Sequence, residues 1–182
     1  MNVTGKENPA LTTVEQTALR AFIHRRDESA TLIQLMSKRY SNAPVLFRGT
    51  QYRKKELEVG NIYEHWNRLS SWSIQEDVAI QFATDSYVPE DLLEEVVEEL
   101  GYDMSELNHE SDVWDEVYAE FTNVLFVVTD AEGFSINDHY QHPTFEKENE
   151  VIVDLGRWMM LSMSKEKTSS GTEYTRVVLT EA

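Results

Sequence analysis

The chain has 182 residues, no cysteine and a formal net charge of -17. This length predicts one domain with a sizeable core, and the absence of cysteine excludes disulfides, thiolate catalysis and cysteine-ligated zinc. The start, MNVTGKENPALTT, lacks a basic region followed by an apolar run, and no apolar stretch approaches about 18 residues. We therefore expect a soluble, cytoplasmic protein without a membrane segment.

The first 43 residues are predicted to form two amphipathic helices, with Asp27 as the candidate cap of the second helix. Pro44 then disfavours further helix, and VLFR is predicted to be a buried strand stopped by Gly49. The apolar residues at helical spacing are Val14, Ala18, Ala21 and Phe22 in the first helix and Leu32, Leu35 and Met36 in the second.

The middle of the chain is predicted to be mainly helical. LSSWS suits a strand end or a turn, and residues 74–83 have a helical pattern with Val78, Ala79 and Phe82 on one face. Residues 84–122 also have helical spacing, broken at Gly101, and they contain 14 Asp or Glu and no Lys or Arg. They supply -14 of the net charge and are predicted to be an acidic helical insertion, which repels phosphates at short range.

Strands are predicted for most of the remaining chain. NVLFVVTD is a β-branched run, AEGFSI contains a glycine turn into another short strand, and DHYQHPTFEK is a polar loop. EVIVDL, WMMLSM and YTRVVLTE are predicted to be three further strands. Because helices come first and strands dominate later, the sequence favours an α+β fold with mainly antiparallel pairing.

Two carboxylates, Glu148 and Glu150, precede the apolar run VIV. In an extended strand residues i and i+2 project to the same side, so both carboxylates are expected on one face, with Asn149 pointing away. Two neighbouring acids can divide the chemistry, because one stabilises a developing cation while the other takes a proton. On this segment alone, two solvated charges at a strand entrance are the alternative.

Three motifs occur in a characteristic order. They are Arg48-Gly49 closing a strand, Ser71-Trp72-Ser73 followed by a helix, and Glu148-Asn149-Glu150 entering a strand. In this order and context the chain resembles the mono-ADP-ribosyltransferases of the arginine, serine, glutamate class, which include clostridial binary toxins and phage-encoded relatives. The resemblance runs from residue 45 to 163, with residues 84–122 as an unmatched insertion. It implies one domain over residues 1–182, with a mixed, mainly antiparallel two-sheet core and NAD as co-substrate.

The resemblance also implies a role for each motif. Arg48 would bind the phosphates of NAD through its planar fork, and Gly49 would let the backbone approach the nicotinamide amide. A surface Arg at a strand end and a plain turn glycine are the alternatives. Ser71 would orient Glu150, while Ser73 would steady the strand end. Glu150 would bond the nicotinamide-ribose hydroxyl and support the oxocarbenium-like cation as the principal catalytic residue.

The resemblance extends to several other positions. Phe82 would help to shape the nicotinamide pocket, although its helical spacing favours a core position. Glu148 would activate an arginine acceptor, and the aromatic residues Tyr140 and Phe145 in the preceding loop would recognise the target. Trp72 stands where family members usually have Thr.

The second phosphate-binding Arg that the family usually has, in the loop after the Ser-motif helix, has no counterpart in this sequence. The run Arg53-Lys54-Lys55, otherwise interpreted as a solvated loop, or Arg68 would have to assist with the phosphates. His139 and His142 have an H-x-x-H spacing, but a loop with a proline and the absence of cysteine argue against a metal site. No nucleophile-elbow motif supports Ser-His-Asp hydrolysis.

These observations predict an NAD-dependent mono-ADP-ribosyltransferase, a phage effector or bacterial toxin that modifies protein arginine inside the cell. Two alternatives stay open: an enzyme that modifies RNA or DNA bases, and a non-catalytic binding module whose acidic face mimics nucleic acid. Plain NAD hydrolysis is a variant of the first prediction. The acidic insertion would recruit a basic protein or an antitoxin, or would be a solvated cap.

Overall fold

A computed structural model describes residues 10–65, 67–85, 88, 90–108, 112–140, 149–154 and 156–182. Helices and mainly antiparallel strands make up these ranges, so the predicted α+β class is confirmed. In this part of the chain no helix is long and apolar enough to cross a membrane. The helices are α1 (Thr13–Arg25), α2 (Ala30–Lys38), α3 (Glu76–Asp85), α4 (Glu90–Glu99) and α5 (Val113–Ala119). The strands are β1 (Ser41–Arg53), β2 (Ile62–Glu64), β3 (Leu69–Ser73), β4 (Phe121–Ser135), β5 (Glu150–Asp154), β6 (Arg157–Lys167) and β7 (Glu173–Glu181).

The chain divides into two compact units, and the long strands β1 and β4 contribute residues to both. β4 pairs antiparallel with β5 through Phe134 and Ser135, and parallel with β7 through Val124–Val128. The first unit contains the described residues of Met1–Leu46, Glu64–Gln75 and Thr129–Gly156, and the second contains those of Phe47–Tyr63, Glu76–Val128 and Arg157–Ala182.

In the first unit, α1 and α2 pack against β3, β4 and β5. α2 begins after Ser29, whose Oγ accepts a hydrogen bond of 3.2 Å from the Leu32 N–H. Asp27 was wrongly predicted as this cap, because it lies too far before the first helical residue and forms an ion pair of 2.9 Å with Arg25 instead. The shared core includes Leu19, Phe22, Leu32, Leu35, Met36, Leu69, Phe134 and Ile152.

In the second unit, β7 lies between β4 and β6. It runs parallel to β4 and antiparallel to β6, with an irregularity in β6 between Met160 and Ser162. Tyr63 stacks on Phe126 with ring centroids 4.1 Å apart, and Trp158 lies 6.0 Å from Tyr63 on a nearly parallel plane. Such aromatic contacts add to the burial of apolar area and give this unit a well-defined core.

The acidic insertion forms α4 and α5, which pack together through an apolar cluster that includes Val96 and Val117. Arg53 anchors α4, because its guanidinium bonds Glu95 at 2.8 Å and Glu99 at 2.6 Å. The interpretation of Arg53-Lys54-Lys55 as a solvated loop was wrong for Arg53, which is only 2% exposed. A buried guanidinium needs such partners, and the acidic helix supplies them.

Two strands are longer than predicted, because their glycines do not interrupt them. β1 continues through Gly49, and β4 continues through Gly133. An added Cβ at Gly49 would lie 1.7 Å from the carbonyl oxygen of Ala79 in α3, and one at Gly133 would lie 2.4 Å from Val151 Cγ1. The predicted strand stop and the predicted turn were both wrong, since these glycines instead allow close packing against the strand.

Candidate functional site

One face of the β3–β5 pair carries both core residues and polar side chains. Directly opposed residues of an antiparallel pair project to the same side, so Ser73 and Glu150 share this face with Ser71 and Ile152. Ile152 and Leu69 belong to the core beneath the helices. Two positions further along, the same face carries the two serines and the glutamate, which is the group of side chains that the sequence predicted.

Arg26 connects two of these side chains. Its Nη1 donates hydrogen bonds of 2.8 Å to Ser71 Oγ and of 2.8 Å to Glu150 Oε1. The two ends of the ion pair differ in exposure, because the side chain of Glu150 is 7% exposed and that of Arg26 is 54% exposed. A buried carboxylate needs a counter-charge and hydrogen bonds, and Arg26 provides both.

The backbone of Arg26 is held in an unusual conformation. It is the C-cap of α1, with φ 58° and ψ 30°, a left-handed geometry that few residues other than glycine adopt. Its N–H donates a hydrogen bond of 2.8 Å to the Phe22 carbonyl oxygen, and its guanidinium lies 5.2 Å from the centre of the Phe22 ring. Sequence reasoning missed Arg26, because basic residues at a helix C-terminus are ordinary partners of the helix dipole.

Asn149 departs from the extended backbone that the sequence predicted for it. Its φ is 44°, a left-handed value, and β5 begins only at Glu150. Asn137 Nδ2 donates a 2.8 Å hydrogen bond to Asn149 Oδ1, and the Ile136 N–H donates one of 3.0 Å to the Glu150 carbonyl. The expectation that Asn149 is extended was wrong, and the shared face of the two carboxylates stays a prediction. Glu148 itself lies outside the described residues.

The two predicted serines have different surroundings. Ser71 is half-buried and accepts the hydrogen bond from Arg26. Ser73 is 6% exposed, lies opposite Glu150, and its Oγ accepts a hydrogen bond of 2.9 Å from the Gln75 N–H. Ser73 thus supports the turn that leaves the strand, and its role in the site stays a prediction. The orienting role of Ser71 toward Glu150 stays a prediction, and a guanidinium bridges the two.

Trp72 occupies the opposite face of β3. It is buried, and its Nε1 donates a hydrogen bond of 2.8 Å to Ser70 Oγ. Because neighbouring strand residues alternate sides, a large aromatic residue at this position fills the core without displacing the serines on either side of it.

In the second unit, β1 carries Arg48 and Gly49. Arg48 is half-buried and hydrogen-bonds the Tyr63 side chain. Burial raises the pKa of the Tyr63 hydroxyl, and the nearby guanidinium acts in the opposite direction. The structure gives Gly49 a packing role against α3, so the alternative of a plain turn glycine was wrong. The roles of both residues toward NAD stay predictions.

Phe82 is 47% exposed, so the core position that its helical spacing favoured was wrong. α3 buries Ala79 and Ala83 instead, because the strand glycine brings the helix backbone close and leaves room only for small side chains. An exposed aromatic ring is compatible with the alternative, a role at the nicotinamide pocket, which stays a prediction.

The remaining predicted residues are placed as follows. Tyr140 is half-buried against the helical core, with the Arg20 guanidinium 5.5 Å from its ring centre, and Phe145 lies outside the described residues. Arg68 forms a two-pronged ion pair with Asp154, at 2.7 and 2.9 Å. Within the described ranges, no group of three or more His, Asp or Glu side chains is arranged to hold a metal ion.

Comparison with known proteins gives matches among solved structures only. No protein-family model and no curated protein matches the chain. Vis toxin, an ADP-ribosyltransferase from Vibrio splendidus, is 20% identical with a TM-score of 0.49, and the match covers 94% of this chain and 64% of that one. ADP-ribosyltransferase Vis in complex with the M6 inhibitor gives 18% identity and 0.48, covering 93% and 68%. Exoenzyme S from Pseudomonas aeruginosa gives 15% and 0.44, covering 93% and 68%. Similarity of this degree does not establish the function of the chain.

Proposed function

We propose that the chain is an NAD-dependent mono-ADP-ribosyltransferase. One observation carries the proposal: the Glu150 carboxylate is buried at the start of β5, opposite Ser73. Glu150 and Ser71 both accept hydrogen bonds from the guanidinium of Arg26, which is a planar, delocalised cation. Cleavage of the bond between nicotinamide and ribose develops an oxocarbenium-like cation. A preorganised and buried carboxylate is a group that stabilises such a charge.

The residues have the following roles in this proposal. Glu150 bonds a hydroxyl of the nicotinamide ribose and supports the cation, and Ser71 adds a hydroxyl beside it. Arg48 binds the phosphates, while Gly49 and Phe82 border the nicotinamide, as the family resemblance implies. Nicotinamide leaves with the electron pair of the broken bond. The acceptor nucleophile then forms the new bond to the ribose carbon and gives up its proton to Glu148; in plain hydrolysis water is the nucleophile and releases its proton to solvent.

The acceptor that we favour is a protein arginine. The resemblance assigns Glu148 to the activation of a guanidinium, and an arginine side chain pairs well with a carboxylate. We further propose that the protein acts in the cytoplasm, as a phage effector or a bacterial toxin.

The test is release of nicotinamide and transfer of label from radiolabelled NAD, with separate protein and nucleic-acid pools as acceptors. Glu150→Gln is expected to lower kcat about 10²- to 10³-fold, as does the loss of one preorganised electrostatic group. Its amide oxygen can still accept the hydrogen bond from Arg26, so the fold is retained. Glu132→Gln, which changes an exposed glutamate of β4, is the matched control and is expected to have wild-type activity.

Each outcome of this test decides between the three functions. Label in protein arginine supports the proposal, whereas label found only in nucleic acid would retain the enzyme and replace the acceptor. If the wild-type protein releases no nicotinamide with either pool, the transferase is rejected in favour of a binding module.

A further inference from the structure

Arg26 binds the carboxylate of Glu150, which the proposed transferase function assigns to a hydroxyl of the nicotinamide ribose. The role inferred here for Arg26 therefore rests on that function. Its Nη1 lies 2.8 Å from Glu150 Oε1. As the bond breaks, the positive charge of the nicotinamide ring moves onto the ribose beside this carboxylate. A guanidinium that stayed on Glu150 would repel the charge in its new position and would slow the step. Arg26 must therefore release Glu150 before the bond breaks.

The side chain of Arg26 is able to move although its backbone is fixed. The backbone is held by α1, through the hydrogen bond from the Arg26 N–H to the Phe22 carbonyl oxygen. The side chain is 54% exposed, and an ion pair with one partner half in solvent is weak. Rotation about the side-chain bonds thus carries the guanidinium away from Glu150 without any change in the strands.

We infer that Arg26 binds the diphosphate of NAD when it releases Glu150. The nearest phosphate of NAD is attached to the nicotinamide ribose, whose hydroxyl the proposal places on Glu150, so this anion arrives beside the guanidinium. The planar fork of arginine suits phosphate oxygens. The ribose hydroxyl replaces Arg26 as the hydrogen-bond donor to Glu150, and the diphosphate replaces Glu150 as the counter-charge of Arg26. Neither charged group is left without a partner.

Other arginines of the first unit are engaged elsewhere. Arg25 pairs with Asp27 at 2.9 Å, and Arg68 pairs with Asp154 at 2.7 Å. The sequence also has no counterpart of the second phosphate-binding arginine that the resemblance leads one to expect after the Ser-motif helix. Arg26 lies outside all the motifs that carry the resemblance, and it supplies a second positive charge for the diphosphate from a different element, the end of α1.

The adjacent Arg25 provides a matched control for the test. In steady-state assays of nicotinamide release, Arg26→Ala is expected to raise the KM for NAD about ten- to a hundredfold, the effect of losing a charged hydrogen bond. Arg26→Lys keeps the charge without the fork and is expected to raise KM by a smaller factor. Arg25→Ala removes the same charge one residue away and is expected to change KM by less than about twofold. An unchanged or lowered KM in Arg26→Ala would overturn the inference.

Nicotinamide riboside separates phosphate binding from positioning, because it has the ribose and no diphosphate. By calorimetry, Arg26→Ala is expected to leave its Kd unchanged or to lower it, since the guanidinium no longer competes for Glu150. Equal weakening of NAD and nicotinamide riboside would show that Arg26 only positions Glu150, and the inference would be wrong.

The failure of this inference can be distinguished from failure of the proposed function. If the wild-type protein releases no nicotinamide, the function fails and the inference fails with it. If wild-type protein and Arg25→Ala cleave NAD while Arg26→Ala keeps the wild-type KM, only the inference fails. Should Arg26→Ala not fold, as judged by thermal unfolding, Arg26→Lys takes its place, and an unchanged KM in that variant counts against the inference.

Discussion

Ser73 lies directly opposite Glu150 in the antiparallel register of β3 and β5. Glu150 is also held from the other side, where its carbonyl oxygen accepts a hydrogen bond from the Ile136 N–H at 3.0 Å. Backbone pairing on both sides therefore fixes the candidate catalytic carboxylate, and a site on regular strands keeps its geometry better than a site on a loop. The serines of β3 provide the first test of this arrangement.

Ser71→Ala is expected to lower kcat about tenfold with little change in stability, because it removes one hydroxyl of a half-buried site. Ser70→Ala is the matched control on the other face of β3. It is expected to lower the free energy of unfolding by about 1 kcal/mol, through loss of the hydrogen bond from Trp72 Nε1, and to leave kcat unchanged. Nicotinamide release and urea unfolding measure the two effects. Equal losses of activity in both variants would mean that strand stability, and not the hydroxyl of Ser71, is responsible.

Gly49→Ala is expected to destabilise the protein by about 3 kcal/mol or more, at the upper end of overpacking effects. The new Cβ would meet the Ala79 carbonyl oxygen at 1.7 Å, and a helix backbone cannot rotate away as a side chain can. Gly171→Ala is the comparison, because a Cβ there meets nothing within 4 Å and only the left-handed φ of 90° opposes it. It is expected to cost roughly 1 kcal/mol. Urea unfolding of both variants is the measurement, and equal effects would contradict the close packing of α3 on β1.

The anchoring of α4 predicts a dependence of stability on pH. Hydrogen bonds from Arg53 and Lys55 lower the pKa of Glu99 to about 2, from an ordinary value of 4.5. Because the pKa is lowered by folding, the ionised carboxylate stabilises the folded state fully above pH 4.5, and this contribution is lost as the pH falls toward 2.

The stability difference between wild-type protein and Glu99→Gln, measured by urea unfolding, is therefore expected to be constant from about pH 7 to 5.5 and to disappear near pH 2. Glu94→Gln, which alters an exposed acid of the same helix, is the control and is expected to show no such trend. A difference for Glu99→Gln that persists unchanged at low pH would rule out the ion pair as its source.

The acids of α4 form two pairs with different roles. One pair is a candidate surface for binding a partner, and the other pair anchors the helix to Arg53. Glu94 and Glu98 are exposed and one helical turn apart, whereas Glu95 and Glu99 bind Arg53. If the acidic insertion binds basic proteins, the double variant Glu94→Lys/Glu98→Lys is expected to weaken binding of a lysine-rich peptide about tenfold at low salt, without loss of thermal stability. Fluorescence anisotropy measures the binding.

Glu95→Lys/Glu99→Lys has the same change in net charge but is expected to lower the melting temperature as well, because Arg53 loses its counter-charges. Binding that is unaffected by either double variant would leave the acidic insertion as a solvated cap.

The sequence predicted the elements whose signals are local. The strand at EVIVDL and the helical pattern of α3 follow from patterns within a few residues, whereas LSSWS, predicted to suit a strand end or a turn, forms the whole of β3. The pairing of β3 with β5 brings Ser71 and Glu150 to the same face. The contact of Arg26 with Glu150 joins residues 124 positions apart. No local pattern reveals such a contact.

The errors have the same physical origin. Arg53 has the local sequence of a solvated loop, but its partners lie 42 and 46 residues further along the chain, in the acidic helix. Gly49 was predicted to stop a strand, because local preference for turns says nothing of a helix that packs on that strand. Tertiary contacts overrode the local preference in both cases.

The left-handed backbone of Asn149 separates two tasks that the acidic motif combines in the sequence. Glu150 is fixed by its pairing with Ser73 and Ile136, and Asn149 is fixed by Asn137. The aim of the Glu150 carboxylate is therefore set by β3 and by the residues that follow β4. A change in these elements is expected to re-aim the carboxylate even where the acidic motif itself is unaltered.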